Sequence, residues 1–406
     1  MRSTPRSALP TTRLTPSRRP LTRRALLHGA LASTALAAGG GALAGCGTKA
    51  AKQTTAGCVS QDVSDTEKKL TFSNWIQYLD TDDAGKKHPT LDAFQKQTGI
   101  TVTYTEDVND NNEFFGKVQN QLSACQSTGR DIFVLTDWMA ARMIRLGWIQ
   151  KLDPGKLPNV AQHVLAGLRG RSFDPKNEYA VPWQSGLAGL AYNGAVTKEI
   201  RTVDELLTRP DLKGRVTGLT EMVDTMGLLL QAGGHDPSNF TTAQFDDALA
   251  KLKRAVDSGQ IRKFTGNEYA PDLAKGNIAA CIAWSGDVIQ LANDNAKVKF
   301  VAPDSGVMLF SDNMLVPNKA THRANAETLM NYYYDPAVAA KVAAFVNYIC
   351  PVQGAQAEME KLDPELAKNP LIFPDDALLG KAKVFMALTD QQEREYESKF
   401  QQVIGA

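Results

Sequence analysis

The chain has 406 residues, 43% hydrophobic and 22% charged, with 45 Lys and Arg against 44 Asp and Glu. That balance hides a division: residues 1–45 carry seven Arg and no acid, which leaves 38 basic against 44 acidic residues, a net charge of −6, in the remainder. An acidic body behind a basic leader argues against nucleic-acid binding, which needs a basic domain, and the composition excludes collagen, coiled coil, disordered chain and multispan membrane protein.

The leader reads in three parts. Residues 1–24 are rich in Arg, Pro and Thr, Ala25–Ala44 is mildly apolar, and Leu43-Ala44-Gly45-Cys46 closes the run. A basic region, an apolar region and a small-residue cleavage site are the parts of an export signal. Thr22-Arg23-Arg24-Ala25-Leu26-Leu27 resembles a twin-arginine signal. Leu-Ala-Gly-Cys resembles the lipobox of bacterial lipoproteins, which implies lipidation of Cys46 and anchoring on the outer face of the cytoplasmic membrane. The competing reading, an uncleaved membrane anchor, has enough length, but Gly residues, His28, Ser33 and Thr34 make a poor membrane helix. Residues 46–69 lack large apolar side chains almost entirely and read as a flexible tether. Cys58, Cys125, Cys281 and Cys350 remain. They allow two disulfides in three connectivities, and Cys281, inside the apolar run 278–283, reads equally well as a buried thiol.

The body is long enough for two domains. Strands are expected at 70–73, 100–105 and 131–136, alternating with helices at 90–97, 113–125 and 138–146. A turn-rich segment at 153–182 precedes strands at 187–192, 215–220 and 278–284, and an amphipathic helix at 242–257. Strands at 298–301 and 307–316 follow, then helices at 324–334, 338–346 and from Gln391 onward. Apolar strands alternating with helices imply a mostly parallel sheet covered on both faces.

Catalytic and cofactor signatures are absent. The five His residues are far apart with no metal-ligand spacing. No Gly-rich phosphate loop occurs in the body, and Ser185 and Ser285 lack the preceding Gly of a nucleophile elbow. The expectation is a binding protein without cofactor or metal, not an enzyme. Ligands of open α/β sheets bind at the carboxyl ends of strands. There the chain places Trp75 and Tyr78, then Thr136 and Trp138, then Glu221 and Asp224, then Trp284 and Asp287, then Phe310 and Asp312. Ring faces attract ammonium groups and pack methylenes, while carboxylates pair with the charge. Asp224 and Asp287 equally suit the first turn of a helix, and Thr136 a cap.

These segments, with Gly129-Arg130-Asp131-Ile132-Phe133-Val134, Tyr179-Ala180-Val181-Pro182-Trp183, Ala191-Tyr192-Asn193 and Asp312-Asn313-Met314-Leu315-Val316-Pro317, resemble the spermidine/putrescine-binding proteins of bacterial ABC importers from about Leu70 to Tyr348. The resemblance implies a periplasmic-binding-protein-like fold, two α/β lobes with mixed, mostly parallel sheets joined by a hinge. Lobe 1 would be 70–185 plus about 312–356, lobe 2 186–311 plus about 357–406. It implies an aromatic box of Trp75, Tyr78, Trp138, Trp284, Phe310 and Tyr348, with Asp312 receiving a ligand ammonium and Thr136 lining the pocket. The chain departs from the family pattern in its displaced acids, Glu221 and Asp224, and in Phe310 where a Trp is usual. The implied partners are a polyamine, the permease subunits and, through Cys46, the membrane, with the protein a monomer. A receptor of the same fold for an amino acid, a sugar or ferric ion is the alternative.

Overall fold

The computed structural model describes residues 58, 60–82 and 84–405, so the motifs at Arg23, Arg24 and Cys46 lie outside the described residues. Part of the segment expected to be a free tether is held in place. Val63 N donates to Thr321 O, Ala324 N donates to Asp62 Oδ2 at 3.0 Å, and Asn325 Nδ2 donates to Glu67 O at 2.8 Å. Hydropathy does not register such polar anchoring. Of the cysteine pairings left open, Cys58–Cys125 forms, while Cys281 and Cys350 are buried free thiols.

The first series is β1 (Lys69–Trp75), α1 (Pro89–Thr98), β2 (Thr101–Val108), α2 (Asn111–Ser123), β3 (Ile132–Thr136) and α3 (Asp137–Arg145). β1 pairs in parallel with both β2 and β3, and β3 is buried along its whole length, as a covered central strand must be. α4 (Pro158–His163) leads to β4 (Ala180–Asn193). This strand is 14 residues long, and its first part lies where turns were expected. Pro182 sits beside a register shift, which is where a strand tolerates a residue without a donor.

The second series is α5 (Val203–Thr208), β5 (Val216–Leu219), α6 (Met222–Ala232), α7 (Thr242–Asp257), β6 (Ile261–Thr265), α8 (Tyr269–Lys275), β7 (Ala280–Trp284), α9 (Ser285–Asp294), β8 (Val298–Val301) and β9 (Val307–Leu315). α10 (Arg323–Tyr333), α11 (Pro336–Val346), α12 (Ala355–Leu362), α13 (Asp376–Leu379), β10 (Ala382–Lys383) and α14 (Asp390–Ile404) complete the described chain. The sheet is mixed, in the order β2-β1-β3-β9-β4-β7-β5-β6. Its centre is the antiparallel pair β4 and β9. Ala180–Ala188 of β4 face β9, whereas Ala188–Tyr192 face β7. Asp312–Leu315 of β9 face β3, whereas Val307 and Met308 face β10. These two strands join the two halves of the sheet. α12 packs on α11, and Cys350 N donates to Ile372 O.

Candidate functional site

The carboxyl ends of β1, β3 and β7 and the residues after β1, β5 and β7, with the middle of β9 and the segment after α11, converge on one cavity. Trp75, Tyr78, Thr136, Glu221, Asp224, Trp284, Asp287, Phe310, Asp312 and Tyr348 line it, with no basic side chain among the lining residues. The space between them is about 30 Å³, room for roughly two water molecules. Trp138 is not among them. It is the second residue of α3 and lines a separate cleft that begins beyond Phe310.

Rings shape the cavity. Trp75 and Trp284 meet edge to face with centroids 6.2 Å apart, Tyr78 and Tyr348 at 4.9 Å, and Phe310 lies 6.4 Å from Trp284 and 6.3 Å from Tyr348. These are favourable edge-to-face geometries. They require glycine at two backbone positions. A Cβ on Gly286 would fall 2.2 Å from the Tyr348 ring, and one on Gly186 would fall 2.4 Å from Phe310.

Each carboxylate is held by neutral donors. Asp312 accepts from the Tyr78 hydroxyl and from Thr136 Oγ1, both at 2.7 Å. Burial pushes its carboxyl up to about 7, and the two hydroxyls only partly offset this. Asp287 accepts from the hydroxyls of Tyr348 at 2.6 Å and Tyr269 at 2.7 Å and from Asn267 Nδ2 at 2.9 Å, and burial still raises it. Asp224 accepts from Trp284 Nε1 at 2.7 Å and rises to about 6 through burial. Glu221 accepts from Asn111 N at 2.9 Å and Nδ2 at 2.8 Å, and burial, then the nearby Asp110, drives it well above the usual range. Asp224 and Asp287 stand in the first turns of α6 and α9 and also face the cavity. Thr136 occupies the N-cap position of α3 but makes no capping bond, its hydroxyl going to Asp312 instead.

Ile76, Val223 and Asn267 also line the cavity, and Tyr269 and Asn111 orient its acids. Sequence reasoning missed Asn267 and Tyr269 because it missed β6, whose Arg262 and Lys263 interrupt the apolar pattern. The carboxyl end of β6 was the available signal. Chemically, four desolvated carboxyl groups without an internal cation form a site of high cost unless a cation enters. The surrounding rings suit methylenes and ammonium groups.

Among the described residues no cluster of metal-binding side chains occurs and no helix is long and apolar enough to cross a membrane. The family model for bacterial extracellular solute-binding proteins matches residues 90–374. The putrescine-binding periplasmic protein of Escherichia coli strain K12 is 31% identical over 343 residues, covering 79% of this chain and 86% of that protein. The spermidine/putrescine-binding periplasmic protein of the same strain is 25% identical, covering 77% and 85%. A solved structure from Listeria monocytogenes, assigned to a spermidine/putrescine ABC transporter, superposes with a TM-score of 0.72 at 26% identity, covering 83% of this chain and 99% of that one.

Proposed function

This chain belongs to the bacterial extracellular solute-binding proteins, and on that premise we propose that it captures polyamines of the putrescine and spermidine type for the permease of an ABC importer. The observation that carries this reading is the cavity itself, where Glu221, Asp224, Asp287 and Asp312 meet five aromatic rings and no basic side chain. Asp312 and Asp287 receive ammonium groups, and the rings pack the methylenes between them. An amino acid would bring its own carboxylate into a cavity with no guanidinium or ammonium to receive it.

Two lobes close on the ligand in this reading, hinged where β4 and β9 join the halves of the sheet. We place the lobes at 70–185 with 312 to about 372, in place of the expected end near 356, and 186–311 with the remaining C-terminal part. The packing of α12 on α11 and the Cys350–Ile372 bond favour a last crossing after residue 372. The mature protein starts at a lipidated Cys46, exported through Arg23-Arg24, and works as a monomer at the outer face of the cytoplasmic membrane.

Calorimetric titration tests the ligand. Putrescine and spermidine are expected to bind at about micromolar concentration or below, and glutamate, maltose and ferric citrate not at all; titration by one of these and by neither polyamine would overturn the reading. Small-angle scattering with saturating spermidine tests closure, a smaller radius of gyration being the expected result. Intact mass of the native protein tests the anchor. A diacylglycerol-modified chain beginning at Cys46 is expected, and an unmodified chain still carrying Met1 would refute it.

A further inference from the structure

Outside the cavity, α14 makes two different kinds of contact. One face buries Tyr396 and Phe400 against lobe 2. Tyr396 stacks on Phe245 of α7 with ring centroids 4.2 Å apart, and its hydroxyl lies 2.8 Å from Thr242 Oγ1. Phe400 meets Phe264 of β6 edge to face at 6.3 Å. The chain just before α14 is held to the same lobe, where Phe385 meets Phe240 at 5.1 Å and Met386 N donates to Pro237 O.

Toward lobe 1 the helix presents charge instead. Glu393 Oε2 meets Arg145 Nη2 at 2.7 Å, Glu393 Oε1 lies 3.2 Å from Arg142 Nε, and Asp390 also meets Arg145. Both Arg residues belong to α3, which packs on β3 and β9. The Phe115 ring of α2 further places Arg142, with the guanidinium 3.9 Å from its centroid.

The two faces differ in what separation would cost. Leaving α7 would expose Tyr396 and Phe400, which are fully buried, and large rings are costly to wet. Leaving α3 would return four charges to water, and ion pairs near the surface are worth little. Each charge also has a favourable place without its partner. Asp390 and Glu393 stand in the first turn of α14, and Arg142 and Arg145 in the last turn of α3, the helix ends that suit their sign. The other end of α3 reaches the cavity, because Thr136 at its N-cap donates to Asp312. This helix is nine residues long, so the cavity and the arginines lie within about 14 Å along it.

We propose that α14 is an ionic latch: it stays with lobe 2 through its rings and takes Arg142 and Arg145 of lobe 1 only when the lobes meet, so that charges remote from the cavity slow ligand release. This rests on the two-lobe reading and adds the contact that holds the closed form.

Stopped-flow tryptophan fluorescence of the full chain with spermidine tests the latch. Asp390→Asn combined with Glu393→Gln keeps the shape and removes both acids. Dissociation is expected to quicken by at least about threefold, with association changed less. An unchanged dissociation rate overturns the proposal even if the variant melts earlier, since losing two helix-end charges explains a lower melting temperature by itself. Arg145→Gln breaks the latch from lobe 1 at an exposed position and should quicken release in the same way; release at the parent rate overturns the proposal. Lys399→Gln removes a charge that pairs with Asp246 of α7 and Glu395 of α14 itself, within lobe 2. It should leave the rate unchanged, and an equal rise there rejects the latch. Small-angle scattering separates the premises. If the parent compacts with spermidine and the latch variants release it at the parent rate, this inference alone fails. If the parent does not compact, the two-lobe reading fails and takes the latch with it.

Discussion

Asp211 and Asp312 lie in two regions that treat a carboxylate in opposite ways. At an exposed corner, Asp211 accepts from Arg209 Nε at 3.0 Å and Nη2 at 2.7 Å, and this guanidinium lowers its carboxyl to about 2. In the cavity, Asp312 accepts two bonds of similar length from hydroxyls, yet burial raises it to about 7. Hydrogen-bond length does not separate the two. The difference is a cation at the surface and none in the cavity, where low polarity magnifies the lack. A site built this way leaves the last charge to its ligand.

The comparison breaks most directly at Asp312 itself. Asp312→Asn keeps the shape and removes the charge, and polyamine affinity should fall by about 2–5 kcal/mol, the range for breaking a buried charge pair. Asp211→Asn should leave affinity unchanged. Calorimetry on both variants decides, and equal loss or no loss in either would dissolve the contrast. A second, smaller effect tests the ring geometry. Gly286→Ala forces a methyl into the Tyr348 ring and should cost about 1–3 kcal/mol in stability, the usual penalty of overpacking, together with weaker binding. Denaturant titration would expose an error in the packing if the variant were as stable as the parent.

The contrast also has a pH signature. Asp312 has a folded pKa of about 7 against an ordinary value of 3.8. Between those values the native carboxyl holds a proton that the unfolded one has lost, so the ligand-free protein should lose stability as pH rises from about 4 to about 7. A bound ammonium favours the ionised form, so polyamine binding releases that proton and should tighten over the upper part of the same window, levelling above about 7. Thermal melts and titrations across this range check both signs, and Asp312→Asn should make both profiles shallower without abolishing them, because burial also raises Asp224, Asp287 and Glu221. The smallest expected effect lies at the surface. Arg209→Ala should change stability by no more than about 1 kcal/mol, fading with added salt, as exposed ion pairs do.

Sequence by itself was sufficient for the alternating α/β order, for the strand ends at or just after which Trp75, Thr136, Asp224 and Trp284 stand, and for proposing a cationic ligand. It put Asp312 at a strand end, whereas Asp312 lies in the middle of β9. Hydrophobic period and strand-end chemistry are properties of a few neighbouring residues, and they survive without the fold. Tertiary structure alone decided what depends on distant partners. It joined Cys58 to Cys125, and it sent the Thr136 hydroxyl across 176 residues to Asp312. It moved Trp138 out of the cavity, because a helix begins at Asp137 and turns the following side chain toward a neighbouring cleft. It also extended β4 back to Ala180 through a proline that local preference counts against a strand. Which carboxylates lack a cation follows only from three-dimensional neighbours, since a guanidinium two residues away serves Asp211 while Asp312 has none within its cavity.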